Sequence, residues 1–581
     1  MDAWATNDLA VAVDEVAAHD ANTAPGDPQE RGWVKPEKYD YETFRDRERH
    51  FEGNAVRYEW DGEEGDIGPE LPELEDILFG DTKHAPPSGI DFSKVTSIQL
   101  VQEGPERITP ISNFADCGFH PAINKNINLA GYKIPTPIQR YTIPAIKNNF
   151  DVIGIAQTGS GKTAAYMIPI LDKLMGKAKK LAAPRPNPAT FQPGVTKPVR
   201  AEPLVVVLVP TRELAIQIFN EARRFCYRSM LRPCVVYGGG PVSEQARQLE
   251  RGCDVLIASP GRLIDFIDRP HTLTLRRLKY MVIDEADEML HSDWEEDFQK
   301  IMAGGEQDEG NVKYSLFSAT FPKQLRDLAK MYLNEAHVRF RVGRAGSAVQ
   351  SVEQIVIEVD PREKKTRLLE ILESHPPART IIFVNSKRTA DHLDDFLFNK
   401  GLPCTSMHGD RTQREREDAM RSFRGGAAPI LIATGVSARG IDVPNVCHVI
   451  NYDLPSTEYG GIEEYTHRIG RTGRIGHRGL ATSFYTERDE TIGSVLTRTM
   501  LETKQEIPDF LQQYVPQGDA VNHLQFEADS DFDPTDMPGA SETFGDDGGF
   551  GDGVGGGDWG GGSDAGADAR ADFGAGAGDA W

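Results

Sequence analysis

Two tandem α/β domains, each a parallel sheet wrapped by crossover helices, are predicted by three features of this chain. Short β-branched runs alternate with longer amphipathic stretches from residue 90 onward; the rhythm breaks once, at the small and flexible "RVGRAGSAVQS" (residues 341–351), and then restarts; and both ends are acidic and too poor in periodic apolar residues to build a core. At 581 residues the chain is also too long for a single core.

Taken in order, residues 1–90 carry 23 Asp and Glu against 8 Lys and Arg, with Trp4, Trp33 and Trp60 scattered among them, and are expected to form a disordered acidic extension. Within it "LPELEDILF" (71–79) has a spacing that suits either a short amphipathic helix packed on the first domain or a nuclear-export signal. Residues 91–342 form the first domain, with "DVIGIA", "LVVVLVP", "PCVVYGG", "DVLIASP", "YMVIDEAD" and "YSLFSAT" each read as a buried strand before a helix. A Pro-rich stretch, 181–203, interrupts it and is expected to be a solvated surface loop. After the linker at 343–351, the second domain spans 352–517 with "RTIIFVNS", "PCTSMHGD", "PILIAT" and "CHVINYD". The Gly- and Asp-rich tail, 518–581, holds 15 acidic residues against one Arg and is expected to be disordered.

The whole-chain charge of -25 would argue against a polyanion ligand, but the two ends account for more than all of it and residues 91–517 are mildly basic, at +4. The six cysteines never occur as CxxC, so neither a zinc site nor a disulfide framework is indicated. No run is long and apolar enough for a bilayer, the longest being "LVVVLV" at 204–209. A soluble, reduced, intracellular and monomeric protein is expected, cytoplasmic with shuttling to the nucleus if the export reading of 71–79 holds.

The chemistry concentrates in "AQTGSGKT". This segment follows a buried strand and opens a helix, and Ala156, Gly161, Lys162 and Thr163 meet the [AG]xxxxGK[ST] pattern, in which backbone N–H groups cradle phosphates, the lysine reaches the outer ones and the hydroxyl serves Mg²⁺. A glycine-rich turn that only starts a helix would satisfy the same residues. "YMVIDEAD" decides against it, because parallel strands aim their carboxyl ends at one crevice and this one delivers Asp284, Glu285 and Asp287 there. Asp284 suits Mg²⁺, held largely through water, and Glu285 the orientation and deprotonation of an attacking water.

These residues resemble the DEAD-box RNA helicases of helicase superfamily 2 over about residues 90–515. "GYKIPTPIQ" (131–139), "AQTGSGKT", "PTRELA" (210–215), "GGG" (238–240), "SPGR" (259–262), "DEAD" (284–287) and "SAT" (318–320) are followed by "IIFVNS" (381–386), "QRER" (413–416), "ATGVSARGID" (433–442) and "HRIGRTGR" (467–474), all in family order. Within the family the stretch "LFGDTKHAPPSGIDFSKV" leading into "ISNFADCGF" is most similar to the branch of Vasa and the yeast translation-initiation helicase. The resemblance implies two RecA-like domains and an ATP hydrolase that opens short RNA duplexes locally or remodels ribonucleoprotein, with translation-initiation or ribonucleoprotein partners engaged through the tails. An ATP-gated RNA clamp without significant unwinding is the alternative; a GTPase or small-molecule kinase would lack the second half.

Carried over residue by residue, the resemblance implies that Gln139 reads adenine with Phe114 and Tyr132 near the base. Gln157, Thr158, Gly159, Ser160, Gly161, Lys162 and Thr163 would take the phosphates, and Thr163 and Asp284 the Mg²⁺. Ser318, Thr320 and Asp287 would couple hydrolysis to domain closure, Asp442 would contact the ribose, Arg471 and Arg474 would be the arginine fingers, and His467 would tie the domains together around ATP. Sequence-independent RNA contacts are implied at Arg212, Gly239, Arg262, Gln413, Arg416, Thr434 and Arg439, a set suited to phosphates and 2′-hydroxyls. Three departures bear on rate. Gly435 replaces the usual Asp or Ala and is expected to loosen the backbone beside Thr434; Ser259 replaces Thr but keeps the hydroxyl; and "STEYGGIEEYTHR" (456–468) is a few residues longer than usual before His467.

Overall fold

In the computed structural model the described residues are 28–29, 31–36, 67–83, 100–175, 192, 195–229, 231–290, 294–303, 312–342, 352–438, 443, 445–456, 461–473 and 478–516. All fall within one compact unit, Met1–Asp533. The first sheet has eight strands, β1 (Leu100–Glu103), β2 (Val152–Ile155), β3 (Val205–Leu208), β4 (Pro233–Val236), β5 (Val255–Ala258), β6 (Tyr280–Ile283), β7 (Lys313–Ser318) and β8 (Val338–Val342), in the spatial order β1-β8-β2-β7-β6-β3-β5-β4. Every pairing is parallel except that of β1 with β8. The second sheet is wholly parallel, with β9 (Val352–Glu358), β10 (Arg379–Val384), β11 (Cys404–Met407), β12 (Ile430–Thr434), β13 (Val446–Asn451) and β14 (Gly479–Tyr485) in the order β11-β12-β10-β13-β14-β9.

Helices cover both faces, so the central strands are buried on both sides and read as unbroken apolar runs; VVVL of β3 and VLIA of β5 are buried at every position. The helix starts are written locally. Thr211 Oγ1 accepts the Leu214 N–H at 3.3 Å, Ser386 caps the helix Lys387–Asn399 in the same way, and Thr412 with Glu415 forms a capping box for Gln413–Arg424. The order of the first sheet then places the chemistry: β7 lies between β2 and β6, so the phosphate loop after β2, "SAT" at the end of β7 and "DEAD" after β6 stand side by side at the carboxyl edge.

Two expectations need correction. The extension is not featureless throughout 1–90: Pro72–Lys83 is a helix whose Leu74, Leu78 and Phe79 are buried with Tyr227 of the first domain, and Trp33 is buried in the core of the second. The helix reading of "LPELEDILF" is therefore the one the fold adopts, with Ile77 facing out at 70% exposure. The end of the Pro-rich insert is not solvated, because Ala201 is fully buried, bridges Leu273 and exchanges backbone hydrogen bonds with Thr272 and Thr274, while Glu202 pairs with Arg200 and Arg277. Most of 181–194, the linker 343–351 and the tail from 517 onward lie outside the described residues. No helix among the described residues is long and apolar enough to cross a membrane.

Candidate active site and nucleic-acid interface

The phosphate loop spans residues 156–161, between β2 and the helix Lys162–Met175, with Gly159 and Gly161 at φ 76° and 85°. A side chain at 161 is excluded both by that angle and because a Cβ would lie 2.5 Å from Gln139 Nε2. The loop is braced from behind. Thr136 Oγ1 donates to Ser160 O at 2.8 Å, Gln139 Nε2 to Gly161 O at 3.0 Å, and Gln139 Oε1 accepts the Thr136 N–H at 2.9 Å. Both ends of the fully buried Gln139 amide are thus engaged in holding the loop. Ser160 Oγ donates to Gln157 O at 2.7 Å, and the Phe114 and Tyr132 rings meet edge-on at 6.3 Å. Lys162 is buried, and its Nζ donates to Ala156 O at 3.0 Å, a neutral acceptor that a phosphate oxygen would outcompete.

At the end of β6, Asp284 is 2% exposed; one oxygen accepts the Tyr166 hydroxyl and the other the Glu285 N–H, both at 3.0 Å. Glu285 occupies a left-handed conformation at φ 51°, a strain that non-glycine residues keep mainly at functional sites. Its Oε2 is buried with no hydrogen-bond partner among the described residues. Burial raises both carboxyls above the usual range; Lys162 and the Tyr166 hydroxyl oppose this at Asp284, and Arg471 followed by Lys162 at Glu285. Asp287 turns instead to β7: its Oδ2 accepts both the N–H and the hydroxyl of Thr320 at 2.9 Å, and its own N–H donates to Ser318 Oγ at 3.2 Å.

The second domain closes over this edge. His467, on the helix Gly461–Ile469, places Nδ1 2.6 Å from Glu288 and Nε2 3.7 Å from Asp287. Burial alone would lower the imidazole, but the Glu288 and Asp287 carboxylates outweigh it and hold His467 well above its ordinary value. Asp287 shows the reciprocal effect, its burial overcome by the hydrogen bond and charge of His467, so its carboxyl lies far below the usual range. Thr158 Oγ1 reaches Gly470 O at 3.5 Å, and the buried Arg471, whose Nε donates to His467 O at 3.1 Å, lies close enough for its charge to act on Glu285. Arg474, Asp442, Arg439 and residues 457–460 of the longer loop lie outside the described residues.

A second row of contacts joins the domains where RNA is expected. Arg212 Nη1 donates to Gln413 Oε1 at 2.9 Å, and Arg416 Nη2 lies 2.7 Å from Glu213. Gly239, at φ 81°, leaves room for Arg212, since a Cβ there would fall 2.1 Å from Nη1. Arg262 donates to Gly240 O at 3.2 Å and pairs with Asp265, and the Ser259 hydroxyl accepts the Gly238 N–H at 3.2 Å, the task a Thr would perform. Thr434 Oγ1 bonds Ser437 Oγ at 3.1 Å.

Gly435 acts differently from the expectation. It starts the short helix Gly435–Ala438, and its importance is space rather than looseness: a Cβ at 435 would stand 2.1 Å from Glu464 Oε1 and 3.2 Å from Arg468 Nη2. Those two form a buried ion pair at 3.0 Å, and Arg468 also donates to Asp453 O at 2.8 Å and Asn385 Oδ1 at 3.0 Å, with its guanidinium 5.2 Å from the Phe383 ring centroid. Tyr166, Glu213, Glu288, Glu464 and Arg468 were not singled out by the sequence. Tyr166, one helical turn beyond Lys162, and Glu213, Glu464 and Arg468, all inside quoted stretches, carried a positional signal; Glu288 carried none.

A phosphate loop, two strand-end carboxylates and an arginine delivered from a second domain define a nucleoside triphosphatase whose site is completed by domain closure. The comparisons agree. Residues 136–328 match the DEAD/DEAH box helicase family and residues 363–476 the helicase conserved C-terminal domain, together more than half of the chain. The chain belongs to the DEAD-box helicases and is an ATP-dependent RNA helicase. S. cerevisiae Dbp5 bound to RNA and ADP BeF3 is 27% identical, with 68% of this chain and 95% of that chain covered and a TM-score of 0.57. Mss116p bound to ssRNA and AMP-PNP is 25% identical over 74% of this chain and 85% of that one, also at 0.57. A DEAD box protein from Methanococcus jannaschii is 32% identical over 68% of this chain and 99% of that one, with a TM-score of 0.40.

Proposed function

We propose that the chain hydrolyses ATP in the cleft between its domains and couples RNA-stimulated turnover to local, non-processive opening of short duplexes or to remodelling of ribonucleoprotein. The observation that carries this reading is the buried Oε2 of Glu285, which has no hydrogen-bond partner among the described residues, with Arg471 acting on the same carboxylate from the other domain. An orphaned buried acceptor costs about 1–3 kcal/mol, a cost that an attacking water donating to it would remove. The RNA and nucleotide bound by Dbp5 and Mss116p support the same ligands here.

The oxygen donors fit Mg²⁺: the Thr163 hydroxyl at the helix start and the Asp284 carboxylate suit a hard cation, and a carboxylate whose ionised form burial disfavours is one that a bound cation would stabilise. Such a cation supplies charge neutralisation on the phosphates. The chain's own residues do the rest: Lys162 and the loop N–H groups hold the phosphates, Glu285 orients the water and takes its proton, and Arg471 completes the site only when the domains meet. Adenine recognition by Gln139, whose amide would have to turn from its loop partners Thr136 and Gly161 to the base, belongs to the same proposal, with Phe114 and Tyr132 nearby, as do ribose contact by Asp442 and a second finger at Arg474.

A clamp that holds RNA without unwinding is the second reading, favoured by the contacts that already join the domains at Arg212, Gln413, Glu213 and Arg416. Measuring RNA-stimulated ATP hydrolysis beside strand displacement on a short duplex separates the two; turnover without displacement overturns the first. The finer parts of the proposal, a place in the Vasa and translation-initiation branch, partners engaged through the tails and cytoplasmic residence with shuttling, rest on the sequence of 71–95 and on the tail composition. As an export signal, residues 71–79 would first have to leave Tyr227, because Leu74, Leu78 and Phe79 are buried there.

A further inference from the structure

Trp33 lies in an acidic stretch whose composition forbids a core, yet it is 4% exposed. Its neighbours are the second domain's apolar cluster, which includes Leu368, Leu372, Leu397 and Leu402. The residues around it form a compact turn, with the N–H groups of Arg31 and Trp33 donating to Pro28 O and that of Gly32, at φ 93°, to Gln29 O. The turn meets the domain through backbone carbonyls: Gln29 Nε2 donates to Gly401 O at 3.0 Å, and Arg31 Nη1 to Glu373 O at 3.1 Å, with the Glu373 carboxylate 3.8 Å away. An aromatic anchor flanked by polar side chains that read exposed carbonyls is the anatomy of a bound peptide rather than of a core element. One anchor and a few rim hydrogen bonds outweigh the entropy of ordering the segment by a small margin only, so the contact is mostly formed yet exchangeable.

We propose that this face of the second domain, built by the helix Lys364–Ser374 and the turn at Gly401 after Lys387–Asn399, is a docking site for a tryptophan-bearing peptide turn, and that residues 28–36 are its resident ligand, held in cis. None of the residues assigned above to ATP or RNA takes part. The site is therefore open to regulation that leaves the chemistry intact, because a protein segment presenting Trp in the same turn would displace the resident one.

The test uses the full chain. A fluorescein-labelled peptide of residues 26–37 is titrated by anisotropy against the parent and against Trp33→Ala, with RNA-stimulated ATP hydrolysis as the measure that the second domain is intact. The variant is expected to bind the peptide at least about tenfold more tightly than the parent, in which the tethered copy competes at high effective concentration. A peptide with Ala at position 33 should bind neither. An active Trp33→Ala that does not bind the peptide overturns the proposal, as does equal binding of the wild-type and Ala peptides. Should Trp33→Ala instead lose its ATPase by unfolding, Trp33 is a core residue of the domain and the proposal fails; Gln29→Ala with Arg31→Ala, which keeps Trp33, should then leave the peptide excluded as in the parent.

Discussion

Gly435→Ala should impair the enzyme through Glu464. The added Cβ would stand 2.1 Å from Glu464 Oε1 and 3.0 Å from its Cδ, against ordinary contacts of about 3.5 Å, so the carboxylate must retreat by roughly 1 Å. It has little freedom to do so, being 4% exposed and paired at 3.0 Å with an Arg468 that is 3% exposed and has three other partners. Overpacking alone costs about 1–3 kcal/mol, and full rupture of a buried pair about 3–5 kcal/mol. The lower range corresponds to roughly a 5- to 150-fold shift against the conformation in which the pair is intact. That loss should reach the ATP site, because ligating atoms of Glu464, His467 and Glu288 lie within 4.8 Å of one another across the domain interface. The assay is RNA-stimulated ATP turnover with both ligands titrated, together with thermal melting, for Gly435→Ala, Glu464→Ala and the double variant. Because the short side chain at 464 vacates the contested space, the two effects should be strongly non-additive. Parent-like turnover and melting in Gly435→Ala, or strict additivity, would refute the steric account. Gly435→Asp should be worse than Ala, since it sets a second carboxylate against Glu464.

Glu285→Gln should keep nucleotide affinity and lower turnover by several kcal/mol in the transition state, with slow release of RNA; hydrolysis at the parent rate in a single-turnover assay would remove Glu285 from its role. Arg471→Ala should cost about a thousandfold in kcat with nucleotide still bound, and Arg471→Lys should not restore it, because the guanidinium fork is lost; equal rates for Lys and Arg would end the finger assignment. Closure should weaken in alkali: the His467 pKa is raised above 6.5 when the domains meet, so its contribution is complete below that value and is lost as pH rises through the raised one, whereas the depressed Asp287 contributes above its ordinary 3.8 and loses only in acid. RNA affinity in the presence of a non-hydrolysable ATP analogue should therefore fall as pH rises well above 6.5 in the parent and stay flat over the same range in His467→Gln. Removal of residues 518–581 should tighten RNA binding at low salt, an advantage that shrinks as the Debye length falls to about 8 Å at 0.15 M; unchanged affinity across that range would leave the tail a solvating role only.

What the sequence made legible is what is written within a few residues. The glycines and lysine of the phosphate loop, the strand-end acids and the helix caps all act over one turn of chain, and the alternation of apolar runs gave both sheets. What stayed hidden depends on separation. Nothing in "GVSA" shows that Glu464 occupies the space beside Gly435, or that Tyr166 finds Asp284, 118 positions away. Composition misled where an apolar minority is enough: Trp33, Leu74, Leu78 and Phe79 sit among acids, and a few buried side chains anchored to a preformed domain do not need the periodicity that an independent core requires.

The interface between the domains explains why two ligands are needed. Among the described residues its polar contacts include His467 to Glu288 and Asp287, Thr158 to Gly470, Arg212 to Gln413 and Arg416 to Glu213, and the exposed or neutral ones contribute about 0.5–1.5 kcal/mol each. Moving a two-state equilibrium from 1:99 to 99:1 takes about 5.5 kcal/mol, more than such contacts supply after the entropy of immobilising two bodies. The groups involved are also the ones expected to hold ligands: Arg212 and Gln413 now satisfy each other where a phosphate would stand between or beside them, and Lys162 satisfies itself on Ala156 O. Each ligand therefore exchanges a weak internal partner for a charged one, and each does so on both domains at once. On the proposed function, ATP held between Lys162 and Arg471 would lower the cost of bringing Arg212 to Gln413, and RNA held at Arg212 and Gln413 would lower the cost of delivering Arg471 to Glu285. The coupling must be reciprocal. On the proposed function, hydrolysis cuts the γ-phosphoryl from the nucleotide, and its departure as inorganic phosphate removes the charge that Arg471 would face, so RNA affinity should fall through the same linkage with no further moving part.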